Sequence, residues 1–77
     1  MMRVHLGGHL DWYDPQKRSW LDVPVQGPIT LLALAERLGV PAAEIAIVTV
    51  NRRIAKLETD SAGEGDTVEF FPAVGGG

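Results

Sequence analysis

GEGDTVEFFPAVGGG, Gly63 to Gly77, is the stretch on which the fold turns. Glu64-Gly65-Asp66 has the composition of a turn. Thr67 to Pro72 (TVEFFP) is a short β-branched and aromatic run that reads as a closing strand. A period of two sends Val68 and Phe70 to one face, Glu69 and Phe71 to the other. Phe70 is expected in the core. Phe71 is either core as well or an exposed contact beside a tail, since aromatic side chains are enriched at interface hot spots. Glycines then close the sequence, the residue type that loses most freedom on ordering and offers no side chain to anchor. They are either a frayed end or a thread whose terminal carboxylate is the working group.

Working outward, Ile45 to Val50 (IAIVTV) reads as a central strand with both faces covered. Asn51-Arg52-Arg53-Ile54 then turns into a short return strand. Further back, Thr30 is an N-cap, and Leu31, Leu34, Ala35 and Leu38 follow the i, i+3, i+4, i+7 spacing of an amphipathic helix. Gly39 supplies a left-handed stop, and Pro41 to Glu44 adds a helical turn. At the N-terminus, Val4, Leu6, Gly8, Leu10 and Trp12 alternate with His5, Gly7, His9, Asp11 and Tyr13, which predicts a long first strand with a bend at Gly7-Gly8. Asp14 to Lys17 is a turn. Leu21, Val23 and Val25 form the second strand of an antiparallel hairpin, with Trp20 on the opposite face and Pro24 marking a sheet edge. Trp12 is expected in the core; Tyr13 and Trp20 are core or partner surface. The order β-β-α-β-(β)-β gives an α+β fold of the β-grasp, ubiquitin-like type: a mixed sheet of four to five strands with a main helix on one face. Residues 1–72 are expected to form the domain and 73–77 a flexible glycine tail.

The 77 residues fit one small domain, and a chain of this size buries only about 60% of the surface its unfolded form exposes. With no cysteine, disulfides, thiolate zinc sites and a thiol nucleophile are excluded. The net charge of −3, without a basic tract longer than Arg52-Arg53, argues against nucleic-acid binding. Apolar runs such as Ile29 to Ala35 are too short for a bilayer, and MMRVHLGG lacks the pattern of a secretory leader. No membrane partner and a cytoplasmic location are expected.

Other chemistry finds little support. His5 and His9, placed on one strand face at about 3.3 Å per residue, stand about 13 Å apart, too far for a shared ion, and read as solvated strand-face residues. Gly7-Gly8 is not followed by the Lys-Ser or Lys-Thr of a phosphate loop. Ser19 and Ser61 lack a spaced His and Asp to activate them. Glu58, Asp60, Glu64 and Asp66 read as a solvated loop. No catalytic residue and no metal site are expected.

VTVNRRIA (Val48 to Ala55), GEGDTVEFFP (Gly63 to Pro72) and VGGG (Val74 to Gly77) resemble the ThiS/MoaD-type sulfur carriers, ubiquitin-like proteins ending in Gly-Gly. The resemblance implies that an E1-like enzyme uses ATP to adenylate Gly77, which then becomes a thiocarboxylate. Gly75 and Gly76 would be the thread that enters the enzyme, with Gly75 at a position where family members have alanine or a third glycine. Phe71, Pro72 and Val74 would contact partners. The chain itself would bind no cofactor and would serve as co-substrate rather than enzyme. FFPAV followed by glycines is similar to the small subunit of molybdopterin synthase, and VGGG and VNRRIA are equally similar to thiazole-pathway carriers, so the accepting partner would be the large subunit of molybdopterin synthase or a thiazole synthase. The FFP stretch tips the expectation to the molybdopterin type. The hairpin with DWYDPQKRSW matches neither. A ubiquitin-like modifier, joined through Gly77 to a lysine of a target, and a β-grasp interaction module are the alternatives.

Overall fold

The structure, a computed structural model, describes residues 1–73. The expected roles of Val74, Gly75, Gly76 and Gly77 therefore lie outside the described residues. The chain enters as β1 (Met2–Leu6), turns through a 3₁₀ helix (Gly8–Tyr13), and returns as β2 (Trp20–Val23). The short β3 (Ile29–Thr30) leads into α1 (Leu31–Arg37), and a second 3₁₀ turn (Ala42–Glu44) follows. Then come β4 (Ile47–Val50), β5 (Arg53–Ala55), the short β6 (Ser61–Ala62) and β7 (Thr67–Phe71). The main sheet has the order β2-β1-β7-β4-β5, while β3 and β6 pair separately. β7 runs parallel to β1, with Val4 opposite Val68, and antiparallel to β4, with Val48 opposite Phe70. This mixed five-stranded sheet with one main helix is the expected β-grasp.

The helix forms where its signals stand. The Thr30 hydroxyl accepts from the Ala33 N–H at 3.2 Å, and Gly39 leaves the helix with φ 78°. Leu31, Leu34 and Ala35 are buried against Val4, Leu6, Val48, Val68 and Phe70. Phe70 is fully enclosed, and trimming it to alanine would cost about 3–5 kcal/mol through lost transfer energy and the cavity left behind.

Three sequence expectations need correction. The first strand stops at Leu6: Gly8 takes φ 54°, and the chain coils into the 3₁₀ helix, so the alternation past Leu6 is not that of a strand. Leu10 is buried by that helix, but Trp12, expected in the core, is 66% exposed. The IAIVTV strand is not covered on both faces, because the helix covers only one; Ile47 is exposed while Val48 is buried. The centre of the sheet is β7, the strand that carries the tail.

Candidate functional site

The last strand is held on both sides up to its final residue. The Phe70 carbonyl accepts from the Gly7 N–H at 2.8 Å, and the Phe71 carbonyl accepts from the Ala46 N–H at 2.8 Å. Both flanks are thus strand ends: Gly7 follows β1, and Ala46 precedes β4. The chain beyond Phe71 leaves the middle of the sheet from a fixed point.

Glycines make the seat. A Cβ on Gly7 would lie 2.7 Å from Cδ1 of Phe71 and 2.9 Å from the Phe70 carbonyl oxygen. One on Gly8 would lie 2.6 Å from Cγ of Pro72. The Phe71 ring and the Pro72 ring therefore rest where only glycine fits beneath them. Both residues are half-buried, and Ala73 is exposed. Gly7-Gly8 read as a bend in sequence; that they cradle Phe71-Pro72 depends on a parallel pairing far apart in the chain, which local pattern does not carry.

Phe71 lies on the open face of the sheet, opposite the helix. There the register aligns Trp20, His5, Glu69, Thr49 and Ile54 across five strands. His5 stacks on Trp20 with ring centroids 4.5 Å apart and meets Phe71 edge-on at 5.9 Å. Its Nδ1 is enclosed and stands 3.5 Å from Oε2 of Glu69, within reach of an ion pair when His5 is protonated but too long for a well-formed hydrogen bond. Thr49 Oγ1 donates to Oε1 of Glu69 at 3.4 Å. His5 is thus sandwiched between aromatic rings instead of solvated, and it supports Phe71 from the side. His9 is not on the strand at all: its Nε2 lies 2.9 Å from Oε1 of Glu44, joining the two 3₁₀ helices. The bond to His9 is the main cause that holds the Glu44 carboxyl below its ordinary range.

Arg3 lies over the Trp20 ring at 5.1 Å, and Ile47 and Ile54 add exposed apolar surface beyond Thr49. Among the described residues, no group of three or more His, Cys, Asp or Glu side chains could hold a metal ion. No described helix is long and apolar enough to cross a membrane.

A mixed sheet with its last strand at the centre, seated at its end on Gly7 and Gly8 and covered on one face by the main helix, defines a ubiquitin-like β-grasp domain. The ThiS family model matches residues 17–77, most of the chain, which belongs to the ThiS family of sulfur carriers. The structure is similar to the NMR solution structure of a thiamine biosynthesis protein from Geobacter metallireducens, at 23% sequence identity and a TM-score of 0.56. That likeness covers 99% of this chain and 88% of the other, and it concerns the fold. A comparison with curated proteins returns no match.

Proposed function

We propose that the chain carries sulfur as a thiocarboxylate on Gly77. The reading rests chiefly on one observation: the family match runs through Gly77, and the strand that leads to it is fixed at the centre of the sheet. In the first step a Gly77 carboxylate oxygen attacks the α-phosphorus of ATP on an E1-like enzyme, and pyrophosphate leaves. In the second, a sulfur nucleophile supplied by a donor attacks the acyl carbon, and AMP leaves with the oxygen that linked it. The carrier contributes the acyl group and its presentation; its partners make and break the bonds. Glycines at Gly75 and Gly76 suit a narrow tunnel, because backbone without Cβ atoms meets fewer walls.

The sulfur is delivered to a thiazole synthase in this reading. The FFP stretch spoke for molybdopterin synthase on the premise that Phe71 is free to dock. Its ring is instead half-buried over Gly7 and against His5, which weakens that premise. Phe71 and Pro72 then act mainly by aiming the tail, with their outer edges left for partner contact. Val74 would continue that contact.

Intact-mass spectrometry tests the activation. The chain is incubated with ATP, an E1-like enzyme and a sulfide source, beside a control lacking Gly76 and Gly77. Exchange of one oxygen for sulfur at Gly77, confined to the full-length chain, is expected. Supplying the thiocarboxylate to a thiazole synthase and to a molybdopterin synthase large subunit then assigns the destination. Adducts on lysines of other proteins would instead support the modifier reading, and no exchange at all would leave an interaction module.

A further inference from the structure

The 3₁₀ helix Gly8–Tyr13 precedes the residues matched by the family model. It is nevertheless fastened to the root of the tail. Gly8 lies under Pro72, Leu10 is fully buried, and His9 is tied to Glu44 beside the start of β4. At the far end of the same helix stands Trp12, 66% exposed. In a domain this small an unburied indole is a lost contribution to the core.

Trp12 is exposed but held in place. Lys17 Nζ donates to the Trp12 carbonyl at 3.0 Å and lies 5.1 Å from the centroid of the indole. Tyr13 meets the indole edge-on at 5.6 Å. Behind them the buried Asp14 carboxylate accepts from the Gln16 and Arg18 N–H groups and from the Arg18 guanidinium, which closes the loop. Lys17 sits at φ 58°, a strained setting for a side chain with a Cβ, and the loop keeps it there. A ring already fixed in this way gives up little entropy when it docks.

We propose that Trp12, with Lys17 beside it, is a docking knob for the E1-like enzyme that activates Gly77, and that it enters an apolar pocket with a carboxylate on its rim. The inference rests on the activation reading above. The thread from Ala73 to Gly77 spans at most about 18 Å when extended, so an active site closed on Gly77 must bring its surface to the end of the domain where Pro72 meets Gly8. Trp12 lies about 8 Å further along the 3₁₀ axis, at about 2 Å per residue. Activation precedes delivery to either synthase, which makes this enzyme the partner required in every case. The positive charge of Lys17 against the indole face sets the complementary charge of the rim.

The test measures ATP–pyrophosphate exchange by the E1-like enzyme of the same organism, with the carrier concentration varied. Trp12→Ala is expected to raise the KM for the carrier about tenfold with kcat unchanged, the mark of a contact made equally in ground and transition states. Lys17→Gly, which suits the left-handed backbone, is expected to raise it about threefold. The chain lacking Gly76 and Gly77 cannot be adenylated but should compete with the full-length carrier, and Trp12→Ala in that background should compete about tenfold more weakly. Unchanged KM and unchanged competition in the Trp12 variants, with unaltered melting temperatures, would overturn the proposal. If the wild-type chain supports no exchange, the activation reading fails separately. Calorimetric binding of the tail-less chain to the enzyme, with and without Trp12, then decides the knob by itself: equal binding or none overturns it.

Discussion

Asn51 Nδ2 donates to Oδ1 of Asp66 at 2.9 Å, while Oδ1 of the same Asn51 side chain accepts from the Thr67 N–H at 2.9 Å. One side chain thus pins the β4-β5 hairpin to the turn that launches β7. Asp66 completes the link by accepting from the Gly63 N–H at 2.8 Å, and these bonds hold its carboxyl below the ordinary range, that from Asn51 foremost. The two turns that carry the family resemblance are therefore one structure. Asn51→Ala should lower stability by about 1–2 kcal/mol, since it removes two side-chain bonds and a residue suited to the left-handed region. Urea titration would show it as a lower midpoint with the same m-value. A loss near zero would mean that the bridge is not maintained in solution.

The same hairpin holds a residue against its preference. Val50 pairs with Arg53, so Asn51 and Arg52 form a two-residue loop, with φ 51° and 69°. Positive φ at both positions is what a type I′ turn requires, and Asn-Gly is its favoured sequence. Arg52 carries a Cβ into that geometry and is exposed. Arg52→Gly is expected to stabilise the domain by about 0.5–1 kcal/mol, the relief of left-handed strain less the added chain entropy of glycine. Destabilisation in thermal unfolding would show that the guanidinium contributes a contact larger than the strain.

Where sequence pattern and fold agree, the signals were local. Thr30, the Leu31, Leu34 and Ala35 stripe and Gly39 each act within a few residues of themselves, and each does what its type suggests. Pro24 marks β2 as an edge for an equally local reason, its missing N–H. The misreadings have non-local causes. A 3₁₀ helix with Leu10 inward places one apolar residue where an alternating strand would also place it, so period two ran on past Leu6. His5 reads in sequence as a solvated strand-face residue, since period two places no partner over it, yet Trp20 and Phe71 cover it on the open face of the sheet. β3 and β6 are two residues each, too short to carry a period. The identity of the tail strand was legible; the glycine seat beneath its end was not, because Gly7 and Phe71 meet only through the parallel pairing of the first and last strands.

Acid should act through Asp14. Its carboxyl is held at about 2, first by the bond from the Arg18 side chain, then by the backbone N–H groups of Arg18 and Gln16, with burial opposing them. Unfolded, the group titrates near its ordinary value of 3.8. A depressed folded value means that its stabilisation is complete above about 4 and is lost as pH falls through about 2. Asp14→Asn should therefore melt lower than wild type at pH 7, and the gap should close between pH 4 and 2. Asp66 and Glu44, both held low as well, add to the wild-type acid sensitivity in the same direction. A gap that stays constant with pH would mean that Asp14 stabilises through shape rather than charge.

The glycine seat makes the most specific structural demand. Gly7→Ala forces a methyl group to within 2.7 Å of the Phe71 ring and 2.9 Å of the Phe70 carbonyl, so both a side chain and the backbone of β7 must move. A cost of about 1–3 kcal/mol follows from overpacking alone. Gly8→Ala meets only Pro72, but its φ of 54° adds strain that no repacking relieves. Second substitutions separate these causes. Phe71→Ala should recover part of the Gly7→Ala loss, because the ring clash disappears while the carbonyl clash remains. Pro72→Ala should likewise recover part of the Gly8→Ala loss and leave the backbone strain. Double-mutant cycles read out each coupling directly, and values of at least about 0.5 kcal/mol are expected for both pairs. Additive losses would show that the tail root is not seated on these glycines. With coupling established, Gly8→Ala should also slow thiocarboxylate formation at Gly77 more than its stability loss explains, because it redirects the point from which the tail departs.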